Sequence, residues 1–134
     1  MPRIRIDDSQ FPLVVTEWPE GAVTDPELEE WLAASVALWE RGPQLALHVG
    51  MRATGLTSVQ RKRMGEFSKL HARRLAEVVI ATAIVSDSPL VRGIVTAINW
   101  VAPPPFPQRT FARRTEATQW LHEQRASASR ARTG

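Results

Sequence analysis

Short apolar segments alternate along this chain with longer segments that carry helix start signals, and this alternation limits the fold more than any other feature. The apolar segments are four to eight residues long and rich in branched or aromatic side chains, as β-strands are. They lie at Arg3–Asp7, Phe11–Trp18, Gln44–Val49, Val78–Val85 and Arg109–Ala112. A polar turn, Asp7-Asp8-Ser9-Gln10, joins the first two and predicts an antiparallel hairpin.

Four segments between and after these strands predict helices, because each begins with a residue that caps a helix N-terminus. Thr24 precedes Glu27 by three residues, and Thr57 precedes Gln60 by the same spacing, so both pairs form capping boxes. Ser88-Pro89 and Thr115 begin the other two helices. Strands separated by helices run parallel through right-handed crossovers. The predicted fold class is therefore α/β: a mixed, mostly parallel sheet of about five strands with an N-terminal hairpin and four helices, in the order β-β-α-β-α-β-α-β-α.

The length of 134 residues fits one domain, which we place at residues 3–124, and the small, basic segment 125–134 is expected to be a disordered tail. The chain has no cysteine, which excludes disulfides, thiolate metal sites and a cysteine nucleophile. Its start lacks the apolar run of a signal peptide, and no apolar stretch is long enough to span a membrane. These features predict a cytoplasmic protein without a transmembrane segment.

The charges are distributed unevenly between the two parts of the predicted domain. Residues 1–51 hold nine acids and three arginines, a net charge of −6, whereas residues 52–124 hold eleven bases and five acids, a net charge of +6. The remaining three arginines lie in the predicted tail. The domain itself is thus neutral, so its basic residues do not indicate a nucleic-acid partner, while the polarised charge favours a partner of complementary charge.

No motif of catalysis or cofactor binding is present in the sequence. There is no Gly-x-Ser-x-Gly, no phosphate-binding glycine loop, and no pair of histidines at the i, i+4 spacing of a helical metal site. His48 stands inside an apolar strand, which favours a hydrogen-bonded or half-exposed strand residue over a catalytic base. We therefore expect no enzyme activity, no catalytic residue, no metal site and no cofactor.

Four segments carry a resemblance to a known family: the Phe11–Trp18 strand, the acidic helix begun by Thr24-x-x-Glu27, the Leu45–Val49 strand with its capped helix, and the ending Phe111-Ala112-x-x-x-Glu116-Ala117-x-x-x-Trp120-Leu121. In their order the chain resembles the STAS/SpoIIAA-like (SEC14-like) domains of anti-sigma-factor antagonists and their relatives. The resemblance implies a bacterial regulatory module that acts through protein–protein interaction.

The resemblance also implies a site of phosphorylation. In the antagonists a regulatory serine or threonine precedes the helix that follows the third strand, in a stretch like Asp-Ser-Ser-Gly-Leu. Ala53-Thr54-Gly55-Leu56 is similar to that stretch, with Thr54 at the modified position, although Arg52 stands where the family has an acid. Thr54 and Thr57 are accordingly the candidate phosphorylation sites.

The helix after Thr57 carries a basic stripe. At about 100° per residue, four of its six cationic residues fall within one third of the circumference. They are Arg61, Lys62, Lys69 and Arg73. Most amphipathic helices have a solvated charged face, and this is one interpretation; the other is a docking stripe for an acidic protein partner, a phosphoryl group or an anionic membrane surface. A nucleic-acid interface would need interleaved exposed aromatic residues, which the stripe lacks.

The helix after Ser88 is apolar on most of its circumference and leads into the stiff segment Pro103–Pro107. A helix in a small two-layer domain can bury only one face, so we expect an apolar interface on the other, at which two copies form a homodimer. Its candidate residues are Leu90, Val91, Ile94, Val95, Trp100 and Phe106.

Three functions follow from the sequence, in descending order. The first is a non-enzymatic interaction or regulatory module that acts through protein partners or self-association. The second is a SEC14-like carrier or sensor of a small apolar ligand or lipid, and the third is a weak nucleic-acid binder. A pocket lined by Trp100 and its helix would favour the ligand function, whereas a flat apolar patch there would favour the partner function.

Overall fold

The computed structural model describes residues 3–51, 55–101 and 103–133. Within them the chain forms five strands and five helices. The strands are β1 (Arg5–Gln10), β2 (Leu13–Glu17), β3 (Gln44–Val49), β4 (Val79–Val85) and β5 (Gln108–Phe111). The helices are α1 (Asp25–Trp39), α2 (Ser58–Leu70), α3 (Ala72–Val78), α4 (Pro89–Val101) and α5 (Arg114–Thr133).

One sheet contains all five strands in the order β1-β2-β3-β4-β5. β1 and β2 are antiparallel, and the other three pairs are parallel. The predicted α/β class, the N-terminal hairpin and the parallel strands are therefore confirmed. The register places Thr16 beside His48 and His48 beside Ile84, so these three side chains lie on the same face of the sheet.

The two faces of the sheet are covered by different helices. Alternate residues of β2, β3 and β4 pack with Phe111 and with Ala117 and Leu121 of α5. The residues between them face α1, α2 and α3, where two smaller clusters form around Trp18 with Leu32 and around Trp39 with Leu75. Because successive side chains of a strand alternate between faces, β3 sends Leu45 and Leu47 toward α5 and His48 toward α1.

The segment predicted as one helix from Thr57 to about Arg74 is two helices in the structure, so the prediction of four helices is corrected to five. The chain turns at His71, whose backbone leaves helical geometry at φ −103° and ψ 16°. The His71 ring packs against Phe67 and Trp39, with centroids 4.5 and 5.4 Å apart. The turn lets both Phe67 on α2 and Leu75 on α3 reach the core, a tertiary requirement that local periodicity does not record.

The segment 125–134, expected as a disordered tail, differs from the structure as well, since α5 continues through it to Thr133. Its alanines and arginines have high helix propensity, and the helix is already started by the buried turn at Ala117 and Leu121. The basic residues of this segment therefore stand on a helix.

Candidate functional site

The face of α4 that points away from the sheet is apolar or small and carries no charge. Leu90, Gly93, Ala97 and Trp100 are exposed and, at 100° per residue, fall within about 80° of the helix circumference. Leu90 is 65% exposed and Trp100 is 86% exposed. The nearest cation on the helix, Arg92, donates through Nη1 to the Ser86 carbonyl at 2.7 Å and is held against the end of β4. We call these four residues the α4 face.

Gly93 has no structural reason to be glycine within the folded monomer. A Cβ placed on it would meet no described atom within 4 Å, and its φ is not in the left-handed region. Glycine inside a helix is less stable than alanine by about 1 kcal/mol. Gly93 lies between Leu90 and Trp100 along this face, and the space beside it is open.

Several residues predicted for the apolar interface are not on this face. Val91 is only 6% exposed and packs inward, so its assignment to a surface is corrected. Val95 is half-buried on the same inner side, and the side chain of Ile94 lies outside those described. Phe106 is half-buried and packs against the cluster around Trp39. The packing of the helix, not its composition, separates Leu90 and Trp100 from these residues.

The predicted basic stripe is divided between two helices. Arg61, Lys62 and Lys69 are exposed on α2, whereas Arg73 lies on α3 beyond the turn at His71. Arg61 donates to the Leu56 carbonyl at 3.0 Å, and Arg73 lies 3.9 Å from Glu77. Two of the four cationic side chains thus contact other groups of the same chain. The role of the stripe as a docking surface stays a prediction.

Thr57 caps α2, so its hydroxyl oxygen has a structural task. It accepts a hydrogen bond from the Gln60 backbone N–H at 3.0 Å, while the Gln60 side chain accepts from the Thr57 backbone N–H at 2.9 Å. The buried Gln60 amide also donates to the Val23 carbonyl at 2.7 Å and to Asp25 at 2.9 Å, which ties α2 to the start of α1. Thr57 is exposed, and its phosphorylation stays a prediction; Thr54 lies outside the described residues.

His48 is the centre of an aromatic group that the sequence does not announce. The Trp18 indole Nε1 donates to His48 Nδ1 at 3.0 Å, and the two rings are stacked with centroids 6.0 Å apart. Trp31 of α1 meets both rings, with its centroid 5.0 Å from that of Trp18 and 5.9 Å from that of His48. Trp31 Nε1 donates to Thr16 Oγ1 at 3.3 Å. Burial lowers the pKa of His48 to about 4, so the imidazole is neutral at pH 7.

A cavity of about 220 Å³ lies next to this group, between the sheet and helices α1 to α3. His48, Thr16 and Ile84 line its sheet side, and Trp31 and Phe67 line its helix side. Its other walls are mostly apolar, with a few neutral polar groups, and no described Asp, Glu, Lys or Arg lines it. The arrangement can hold a small, mostly apolar molecule, because ligand sites are apolar cavities with a few placed polar groups.

The cavity could not be predicted from the sequence, because its formation depends on strand register and helix placement. The one signal available was the pair Trp18 and His48, each near the carboxyl end of its strand. In open α/β sheets ligands bind at that end, but the parallel pairing that brings the two residues together is not readable from either strand alone.

The described residues contain no group of three or more His, Asp or Glu side chains placed to hold a metal ion. A search of the same residues finds no helix with the length and apolar character that crossing a membrane requires.

Comparison with known proteins bears on the fold. The sequence matches no protein-family model and no curated protein. The structure is similar to the crystal structure of an uncharacterized DUF3478-family protein from Shewanella loihica PV-4 with a SpoIIAA-like fold. The TM-score is 0.67 at 19% sequence identity, and the similarity covers 88% of this chain and 91% of that chain. The fold is therefore SpoIIAA-like, and the resemblance predicted from the sequence is confirmed at that level.

Proposed function

We propose that this chain is an interaction module that works through self-association, and that its contact surface is the α4 face. The observation that carries the proposal is the exposure of Trp100, at 86%, on a helix face without a charged residue. Exposed apolar patches on small proteins mark interaction sites more often than isolated exposed residues do. The SpoIIAA-like fold is compatible with a regulatory interaction role.

A second copy of the same chain fits the α4 face because the face is nearly self-complementary. If two α4 helices cross antiparallel about a two-fold axis near residue 95, Leu90 of one copy meets Trp100 of the other, and Gly93 meets Ala97. The two large side chains stand about 15 Å apart along the helix, with the two small residues between them. Such a pairing lets the helices approach closely at the centre while the large residues pack at the ends, and it brings no like charges together.

Two glycines on exposed helix faces provide a matched test of self-association. Gly93→Gln places a side chain in the middle of the α4 face, whereas Gly65→Gln places the same side chain on α2, where a Cβ also meets no described atom within 4 Å. Both substitutions should keep or raise the helix content and the thermal midpoint of the diluted protein, because glutamine favours a helix more than glycine does.

Sedimentation velocity at tens of micromolar then separates the two variants. We expect the wild type and Gly65→Gln to run as dimers and Gly93→Gln to run as a monomer. A monomeric wild type, or a Gly93→Gln variant that dimerises as tightly as Gly65→Gln, would refute the proposal. If the wild type captures a different protein and Gly93→Gln does not, the α4 face binds that protein instead of a second copy of this chain.

A second candidate function, the binding of a small apolar molecule, is favoured by a different observation. The 220 Å³ cavity beside His48 is larger than the gaps that ordinary core packing leaves. A titration of the full chain with indane, followed by ¹H–¹⁵N NMR, tests it. Indole N–H resonances of Trp18 and Trp31 should move together in a saturable way, and an unchanged spectrum at the solubility limit of indane would exclude this function.

A further inference from the structure

The hydrogen bond between Trp18 and His48 fixes where the imidazole carries its proton. An indole N–H can only donate, so the imidazole nitrogen facing it must be unprotonated. The bond is 3.0 Å long and ends on His48 Nδ1. In this orientation the neutral ring therefore carries its single proton on Nε2.

This proton has no acceptor among the residues that the structure describes. His48 is part of the cavity wall and keeps some accessible surface. Its ring is held on the other side by Trp18 and flanked by Trp31. The free donor is thus presented on the cavity side, where a molecule in the cavity can accept from it.

Thr16 supplies a second donor next to the first. It pairs with His48 across β2 and β3 and is 5% exposed. Its oxygen accepts from Trp31 Nε1 at 3.3 Å, which leaves the hydroxyl proton for another acceptor, and no described residue takes it. Adjacent strands are about 4.8 Å apart, so one oxygen atom can lie within reach of both donors.

The cavity also limits the charge and size of its occupant. Because no described ionisable side chain except the neutral His48 lines it, an ionised ligand would lose its hydration without compensation. An apolar cavity of about 150 Å³ takes up benzene, so a volume of about 220 Å³ corresponds to roughly nine or ten non-hydrogen atoms.

We infer that the cavity binds a neutral, mostly apolar molecule with one carbonyl oxygen, and that His48 Nε2–H donates the hydrogen bond that orients it, with Thr16 as a second donor. The inference rests on the second candidate function above and adds to it the class of ligand and the residue that selects it. A ligand that offers only a donor in the same place is disfavoured, since both groups at this position present protons.

Two probes that differ by one oxygen atom test the inference on the full chain. Indane and 1-indanone have nearly the same shape, but only the ketone has an acceptor. We expect 1-indanone to bind about tenfold more tightly than indane, as one well-placed net hydrogen bond implies. In the wild type, 1-indanone should shift the His48 Nε2 resonance further than indane does, because only the ketone accepts its proton.

The His48→Phe variant should lose most of the preference for 1-indanone, because only the Thr16 donor remains, whereas His122→Phe on the exposed side of α5 should keep the tenfold preference. If His48→Phe does not fold, the Nε2 resonance of the wild type still decides the question. Equal affinities for the two probes in the wild type, or an Nε2 resonance that 1-indanone shifts no further than indane does, would overturn the inference while ligand binding stands. Failure of both probes to bind would overturn ligand binding itself.

Discussion

Acidification from pH 7 to pH 4 should remove about 3 kcal/mol of the free energy of unfolding through His48 alone. The pKa of this histidine falls from 6.5 to about 4 because the folded protein buries the ring, and each pKa unit corresponds to about 1.4 kcal/mol. Protonation would also turn Nδ1 into a donor that faces the Trp18 indole N–H, so the 3.0 Å hydrogen bond would be lost. The whole free energy of unfolding of a small domain is about 5–15 kcal/mol, so this loss is a large part of it.

The sign follows from proton binding in the two states. Between pH 6.5 and about pH 4 the unfolded chain holds a proton on this imidazole and the folded chain does not. The free energy of unfolding therefore rises with pH in this window. The stabilisation is fully present above pH 6.5 and is lost progressively as the pH falls toward 4.

Urea unfolding followed by circular dichroism at 222 nm, at half-unit steps from pH 7.5 to pH 4, measures this effect. The wild type is compared with His48→Gln, which cannot titrate, and with His122→Gln, whose histidine is exposed on α5. All three proteins have the same carboxylates. One of them, Asp7, has a pKa lowered by hydrogen bonds from the Ser9 side chain and backbone. Its protonation in acid therefore also lowers the free energy of unfolding, by the same amount in each protein. The difference between variants removes that contribution.

We expect the stability advantage of the wild type over His48→Gln to shrink by about 3 kcal/mol from pH 7.5 to pH 4. His122→Gln should follow the wild type throughout. If the wild type and His48→Gln change in parallel over the whole range, the folded protein does not lower the pKa of His48, and the argument for its neutral state fails.

Three further predictions, which use four substitutions and one deletion, test the fold. Leu121 has no exposed surface, so Leu121→Ala should lower the free energy of unfolding in urea by about 2–5 kcal/mol. Leu70 is 78% exposed, so Leu70→Ala should change it by less than about 0.5 kcal/mol. Equal effects would contradict the packing of α5. Thr57→Ala should lower the free energy of unfolding by about 1 kcal/mol because the N-cap is lost, and Ser58→Ala should leave it nearly unchanged. The reverse order would show that Thr57 is not the N-cap of α2. Deletion of 127–134 should lower the helical signal at 222 nm and leave the cooperative unfolding transition in place, and an unfolded product would show that the last part of α5 is needed for the fold.

The element order was readable from the sequence because its signals are local. Strand composition, turn residues and helix caps each depend on fewer than about eight neighbouring residues. Thr24 and Thr57 cap α1 and α2 as their spacing predicts, and the parallel pairing of β2 to β5 follows from the helices between them. Even the exposure of Trp100 was indicated, because a helix that is apolar on most sides has more apolar surface than one sheet can cover.

Tertiary packing decided what the candidate sites are made of. The sequence shows that α4 is apolar, but only its docking on the sheet determines that Val91 is inside while Leu90 and Gly93 are outside. The break at His71 arises because Phe67 and Leu75 both reach the core, which divides the basic stripe between two helices. Likewise Trp18 and His48 lie 30 positions apart, and their hydrogen bond exists only because β2 and β3 pair in one register. Local patterns indicate which residues prefer a helix or a strand. Contacts between distant segments are determined by how the helices pack on the sheet, because side chains from all of them must fit together in one core.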